Sequence, residues 1–131
     1  MFNLVIDKDS KEFWEGARKN KLMIKKSLKS KKYFLYSLGH SGISASEDYK
    51  WVEATGKGII YSYTVSYVPG GSTYYIDKTP YVIGSILLDE DVRIMSNIIS
   101  SDFNKIKIGK SVKVEFVKLT EDITFPCFKL I

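Results

Sequence analysis

At 131 residues and 44% hydrophobic content, the chain is long enough for one domain with its own apolar core. Its single cysteine, Cys127, excludes an intramolecular disulfide and fits a reducing cytoplasm; no long apolar run marks a signal peptide or a membrane span. The net charge of +5 is unevenly spread: Arg18 to Lys32 holds eight basic residues and no acidic one, which suits an anionic partner or, equally, a solvated face.

The segment DSKEFWEGARKNKL predicts a short amphipathic helix, with Asp9 as its cap and Glu12 at the capping-box spacing. Phe13 and Trp14 form a bulky pair that must pack on their own domain or on a partner. Residues 25–50 have no clean period and read as turns and short hairpins rich in Ser, Lys, Gly and Tyr. Within them SLKS and SGIS repeat a serine, two residues and a serine, with about the spacing of the two knuckles of a zinc ribbon.

From Trp51 onward the pattern is β. GIIYSYTVSYV alternates, which predicts Ile59, Tyr61, Tyr63, Val65 and Tyr67 on one face, first of all a packing face, with Ser62, Thr64 and Ser66 on the other. A loop between Pro69 and Pro80 follows. YVIGSILLD is a second strand, with Gly84 marking a bulge or bend; the DED turn leads into a third, VRIMSNIIS. IKIGKSVKVEFVKL gives a fourth strand after Gly109, with Val112, Val114 and Phe116 inward, and FPCFKLI ends the chain as a short strand or edge segment because it carries Pro126. The fold class is therefore mainly β. Five strands of this length favour an OB-fold barrel over an SH3-like one.

The residues offer little catalytic chemistry. The only histidine, His40, lies in GHSG, a near miss to the nucleophile elbow, with Ile43 where the second glycine belongs. One Cys and one His cannot build a tetrahedral zinc site, and the hydroxyls of Ser27, Ser30, Ser41 and Ser44 are poor ligands because they do not ionise near neutral pH. The expectation is no metal. GKG at Gly56 to Gly58 is too short for a phosphate loop and reads as a turn.

Taken together, FWEGARKNKL, WVEATGKGIIYSYTV, TPYVIGSILLDED, IKIGKSVKVEF and FPCFK resemble the DUF35 family along nearly the whole chain. The resemblance implies an N-terminal helical segment (1–24), a rubredoxin-like zinc-ribbon subdomain (25–50) and an OB-fold domain (51–131). The family's two Cys-x-x-Cys knuckles fall on Ser27 and Ser30 and on Ser41 and Ser44, so the ribbon is expected to be degenerate and metal-free. It further implies a non-catalytic, acyl-CoA-binding scaffold beside thiolase-type enzymes; archaeal members bridge acetoacetyl-CoA thiolase and HMG-CoA synthase. On this basis Lys25, Lys26 and Lys29 are expected to hold CoA phosphates, Tyr63 and Tyr67 to line a pantetheine groove, and an exposed Phe13–Trp14 pair to dock the partner enzyme. The alternative is a single-stranded nucleic-acid-binding OB module using its exposed tyrosines. The helix and ribbon, which have no obvious use on a bare nucleic acid, weigh against it.

Overall fold

The computed structural model describes residues 10–35, 48–68 and 78–131. In chain order these form helix α1 (Lys11–Arg18), strands β1 (Met23–Ser27), β2 (Tyr33–Phe34), β3 (Tyr49–Glu53), β4 (Lys57–Ser66), β5 (Tyr81–Leu88) and β6 (Arg93–Ile99), a 3-10 turn (Phe103–Lys105), and strands β7 (Ser111–Lys118) and β8 (Thr124–Leu130). Ser10 occupies the N-cap of α1; Asp9, the expected cap, lies outside the described residues. Glu12 in the first turn and Arg18 in the last complement the helix dipole.

Two β layers follow. A small antiparallel sheet runs β2-β1-β3, and a closed barrel runs β4-β5-β6-β8-β7 back to β4. Because β3 extends to Glu53 and pairs with β1 throughout, the small sheet runs past residue 50 and gives way to the barrel at Ala54 to Gly56. The small sheet shares the barrel's core: Leu22 and Ile24 are buried in one cluster with Ile60, Ile86, Val112 and Phe128. Each such side chain contributes about 1.5–3 kcal/mol on burial.

The barrel matches the expected OB-like architecture, with two differences in detail. First, the predicted packing face of β4 is split. The register against β5 slips between Ile60 and Ser62, so Tyr61 is the extra residue of a bulge. Before the bulge Gly58 and Ile60 face inward and Ile59 and Tyr61 stand outside; after it Tyr63 and Val65 take the inner side, opposite Gly84 and Val82. Gly84 itself lies opposite the bulged strand rather than in a bulge of its own, and a methyl group there would strike the buried side chain of Ile98.

Second, β8 is not an edge. It pairs antiparallel with β7 along its length and parallel with β6 at Phe128 and Lys129, which closes the barrel. Pro126 is tolerated because the β6 ladder reaches only residues 128 and 129, so no β6 bond needs an N–H at 126. Its carbonyl is used instead, accepting a hydrogen bond from the Ser96 hydroxyl.

The GKG motif is spent on closure. Gly56 has φ +82°, and its carbonyl accepts from the Val114 N–H at 2.7 Å. Gly58 passes so close to β5 that any Cβ would fall on the Leu87 carbonyl. Among the described residues no helix is long and apolar enough to cross a membrane.

Candidate functional site

The bulge at Tyr61 turns an aromatic ring out of the barrel, and the register builds a surface around it. Ile59 pairs with Leu87 and Leu87 with Arg93, so one row of side chains crosses three strands on the outer face; Ser85 and Met95 form the next row. The Arg93 guanidinium sits 4.8 Å from the centroid of the Tyr61 ring. Tyr61 and Met95 remain 50% and 61% exposed, so this face presents apolar surface to solvent.

This face forms one wall of an open groove of about 790 Å³, whose other wall is the β2 segment of the small sheet. Tyr33 and Leu35 oppose Leu87 and Met95 across it. Lys32 and Arg93 supply positive charge, Glu90 and Asp91 negative charge. The turn that carries the two acids is latched to the junction between sheet and barrel: Glu90 Oε2 accepts from the Thr55 N–H at 2.9 Å, and Asp89 Oδ2 accepts from the Thr55 hydroxyl at 3.1 Å. Glu90 Oε1 is buried and has no hydrogen-bond partner among the described residues, which leaves one acceptor beside the groove.

The residues named from the sequence do not converge on one point. Lys25 and Lys26 are neighbours on β1 and so point to opposite faces of the sheet. Lys26 lies on the groove side, its ammonium 5.2 Å from the centroid of the Tyr33 ring. Lys25 is directed the other way, into a set of three rings: 4.8 Å from the centroid of Tyr49, 5.1 Å from Trp51 and 5.7 Å from Phe34. Lys29 is exposed in the turn after β1. Tyr63 faces the barrel's inner side, and Tyr67 lies exposed beyond the end of β4.

Phe13 and Trp14 are not the exposed pair expected. They meet edge to face at 5.0 Å, Trp14 stacks on Phe125 of β8, and Phe13 packs against the shared core. Both rings are half-buried against their own chain.

At the first knuckle, Ser27 is fully buried and its Oγ accepts from the Ser30 N–H at 3.2 Å. Ser41 and Ser44 lie outside the described residues, as does His40. Sequence reasoning missed Tyr33, Glu90, Arg93 and Met95 as residues of this groove, and it placed Tyr61 first of all on a packing face. The alternation of VRIMSNIIS could have flagged Arg93 and Met95 as outward, but no sequence signal places the bulge that turns Tyr61 outward.

Cys127 is buried on β8 beside Ser96, and burial pushes its thiol up from 9.0 to about 11, partly offset by a hydrogen bond with Ser96. Burial and a tightly held proton suit it to packing as a small apolar side chain.

With this geometry in hand, residues 51–117 match the family model described as the ChsH2 C-terminal OB-fold domain. The chain belongs to the DUF35 family. A solved chain from "Ltp2-ChsH2(DUF35) aldolase" superposes at TM-score 0.80 with 27% identity, over 98% of both chains. A DUF35 family protein of unknown function from Sulfolobus solfataricus superposes at TM-score 0.60 with 16% identity, over 95% of this chain and 86% of that one, a likeness of fold. Among curated relatives, a probable enoyl-CoA hydratase alpha subunit from Thermomonospora curvata is 29% identical over 95% of this chain and 38% of its own length. A DUF35 domain-containing scaffold protein from Methanothermobacter thermautotrophicus is 37% identical over 52% of this chain and 50% of its own. The chain thus spans about half or less of the length of these two curated relatives.

Proposed function

We propose that this DUF35 chain is a non-catalytic accessory subunit of an enzyme complex acting on acyl-CoA, with a thiolase-type enzyme as its partner. The observation that carries the reading is the whole-length likeness to a chain of the Ltp2-ChsH2(DUF35) aldolase, which extends over the small sheet as well as the barrel. The names of the other relatives, a scaffold protein and an enoyl-CoA hydratase subunit, agree with it.

In this reading the groove between β2 and the outer face of β5 and β6 receives CoA. Its volume of about 790 Å³ suits a cofactor-sized ligand. Tyr33, Leu35, Leu87 and Met95 would flank the pantetheine arm. Lys32 and Arg93, which line the groove, would hold the phosphates, with Lys26 on β1 and Lys29 in the turn after it adding positive charge nearby. Lys25 faces away from this groove, and Tyr63 and Tyr67 lie outside its lining. The exposed row at Ile59 and Tyr61, beside the groove, is where the enzyme would rest.

A second reading, single-stranded nucleic-acid binding, draws support from the exposure of Tyr61, Tyr63 and Tyr67 along and just beyond one strand. Calorimetric titration of the chain, with its co-purified partner where one is present, separates the two. The accessory reading expects heat with acetyl-CoA and none with a short oligonucleotide. Tight, salt-steep oligonucleotide binding without a response to acetyl-CoA would replace it with the second.

A further inference from the structure

We infer that Lys25 supplies the fixed positive charge around which the small sheet assembles, and that this sheet therefore folds without a metal ion. The inference does not rest on the acyl-CoA reading.

The first knuckle does not fit zinc. A structural zinc ion needs deprotonated thiolates or neutral imidazoles. Ser27 and Ser30 offer hydroxyls that keep their protons near neutral pH, and both oxygens already close the turn. Ser27 Oγ accepts from the Ser30 N–H at 3.2 Å and Ser30 Oγ from the Lys32 N–H at 3.4 Å. Lys31 takes φ 64° at the corner, and its N–H bonds to the Ser27 carbonyl at 3.0 Å. The turn keeps a knuckle's shape on backbone and hydroxyl bonds alone. Among the described residues no group of three His, Cys, Asp or Glu side chains could hold a metal.

A cation is nevertheless present in this sheet, and the protein supplies it. Lys25 is on the central strand, directly opposite Phe34 on one side and Trp51 on the other, so the pleat puts all three on one face. Tyr49, two residues before Trp51, completes the set. The rings brace one another edge to face, Phe34 with Tyr49 at 5.7 Å and Tyr49 with Trp51 at 6.4 Å. Their electron-rich faces converge on the ammonium at 4.8, 5.1 and 5.7 Å. One charge thereby ties β1, β2 and β3 together, the mechanical task a bound metal performs when its ligands come from separate strands.

Measurements on the full chain test this. In the wild type, the Lys25 ε-CH₂ proton resonances shift upfield through the ring currents of Tyr49 and Trp51. The melting temperature does not change with a strong chelator or with added zinc, and elemental analysis finds well under one zinc per chain. Lys25→Met, which keeps the length and loses the charge, melts several degrees lower and changes Trp51 fluorescence, whereas Lys25→Arg melts close to wild type. Stoichiometric zinc, a chelator-sensitive melt, or ε-CH₂ resonances at free-lysine positions would overturn the inference. So would a Lys25→Met protein that melts like wild type. Should Lys25→Met not fold, the resonance and chelator measurements still decide.

Discussion

Trp14 of α1 stacks on Phe125 of β8 with ring centroids 5.8 Å apart and planes 26° apart. This stack fastens the N-terminal helix to the barrel and makes the Phe13–Trp14 pair part of the chain's own structure. Trp14→Ala should therefore destabilise the isolated protein by about 2–3 kcal/mol, less than the roughly 3–5 kcal/mol of a fully buried aromatic. Urea unfolding of the purified chain measures it; unchanged stability would return Trp14 to the role of a docking residue.

Gly58 lies where β4 meets β5, and a Cβ there would fall on the Leu87 carbonyl, a backbone atom that cannot swing away. Gly58→Ala should cost about 1–3 kcal/mol or more. The matching control is Gly109→Ala, where a Cβ meets nothing within 4 Å and only the φ of +90° is penalised. Comparing the two melting curves separates steric closure of the barrel from backbone strain.

The Cys127 thiol gives a pH dependence of known sign. Burial raises its folded pKa to about 11 from 9.0, so the folded state holds its proton more tightly than the unfolded state. Stability from this source is fully present below pH 9 and is lost as pH rises through 11. The loss amounts to roughly 2–3 kcal/mol, because holding a proton tenfold more tightly is worth about 1.4 kcal/mol. Denaturant unfolding at pH 8 and pH 11 should show a steeper decline for wild type than for Cys127→Ala. Equal slopes would contradict it.

Much of this fold was legible in the sequence because the barrel strands announce themselves by alternation: YVIGSILL, with Val82, Gly84, Ile86 and Leu88 buried in turn, is β5 as expected. What could not be read was parity. A one-residue bulge at Tyr61 exchanges inside and outside halfway along β4, and nothing in IIYSYTV marks where the extra residue falls. The candidate groove was hidden for the same reason. It depends on which of two equivalent faces of β5 and β6 turns outward and on how the small sheet leans over it. The Lys25 cluster was half visible: the lysine and the aromatics stand out in the sequence, but only the register Lys25 to Phe34 and Lys25 to Trp51 brings them together.

Ile59 and Tyr61 stand exposed beside the groove, outside its lining. Tyr61→Asp, at the bulge residue, should leave stability within about 0.5 kcal/mol of wild type. On the accessory reading it should weaken association with the partner enzyme at least about tenfold, as a charge placed in an apolar contact does. Size-exclusion chromatography of the reconstituted pair reads both effects. A complex of undiminished affinity would move the docking surface elsewhere.

The most direct test of the accessory role is purification of the tagged full chain from the cells that make it, with its companions identified by mass spectrometry. The accessory role predicts a thiolase-type acyl-CoA enzyme in fixed stoichiometry with this chain, whose activity falls when the chain is withheld. A chain that purifies alone, or with nucleic acid, while acyl-CoA enzymes of the same cells work unaided would contradict it.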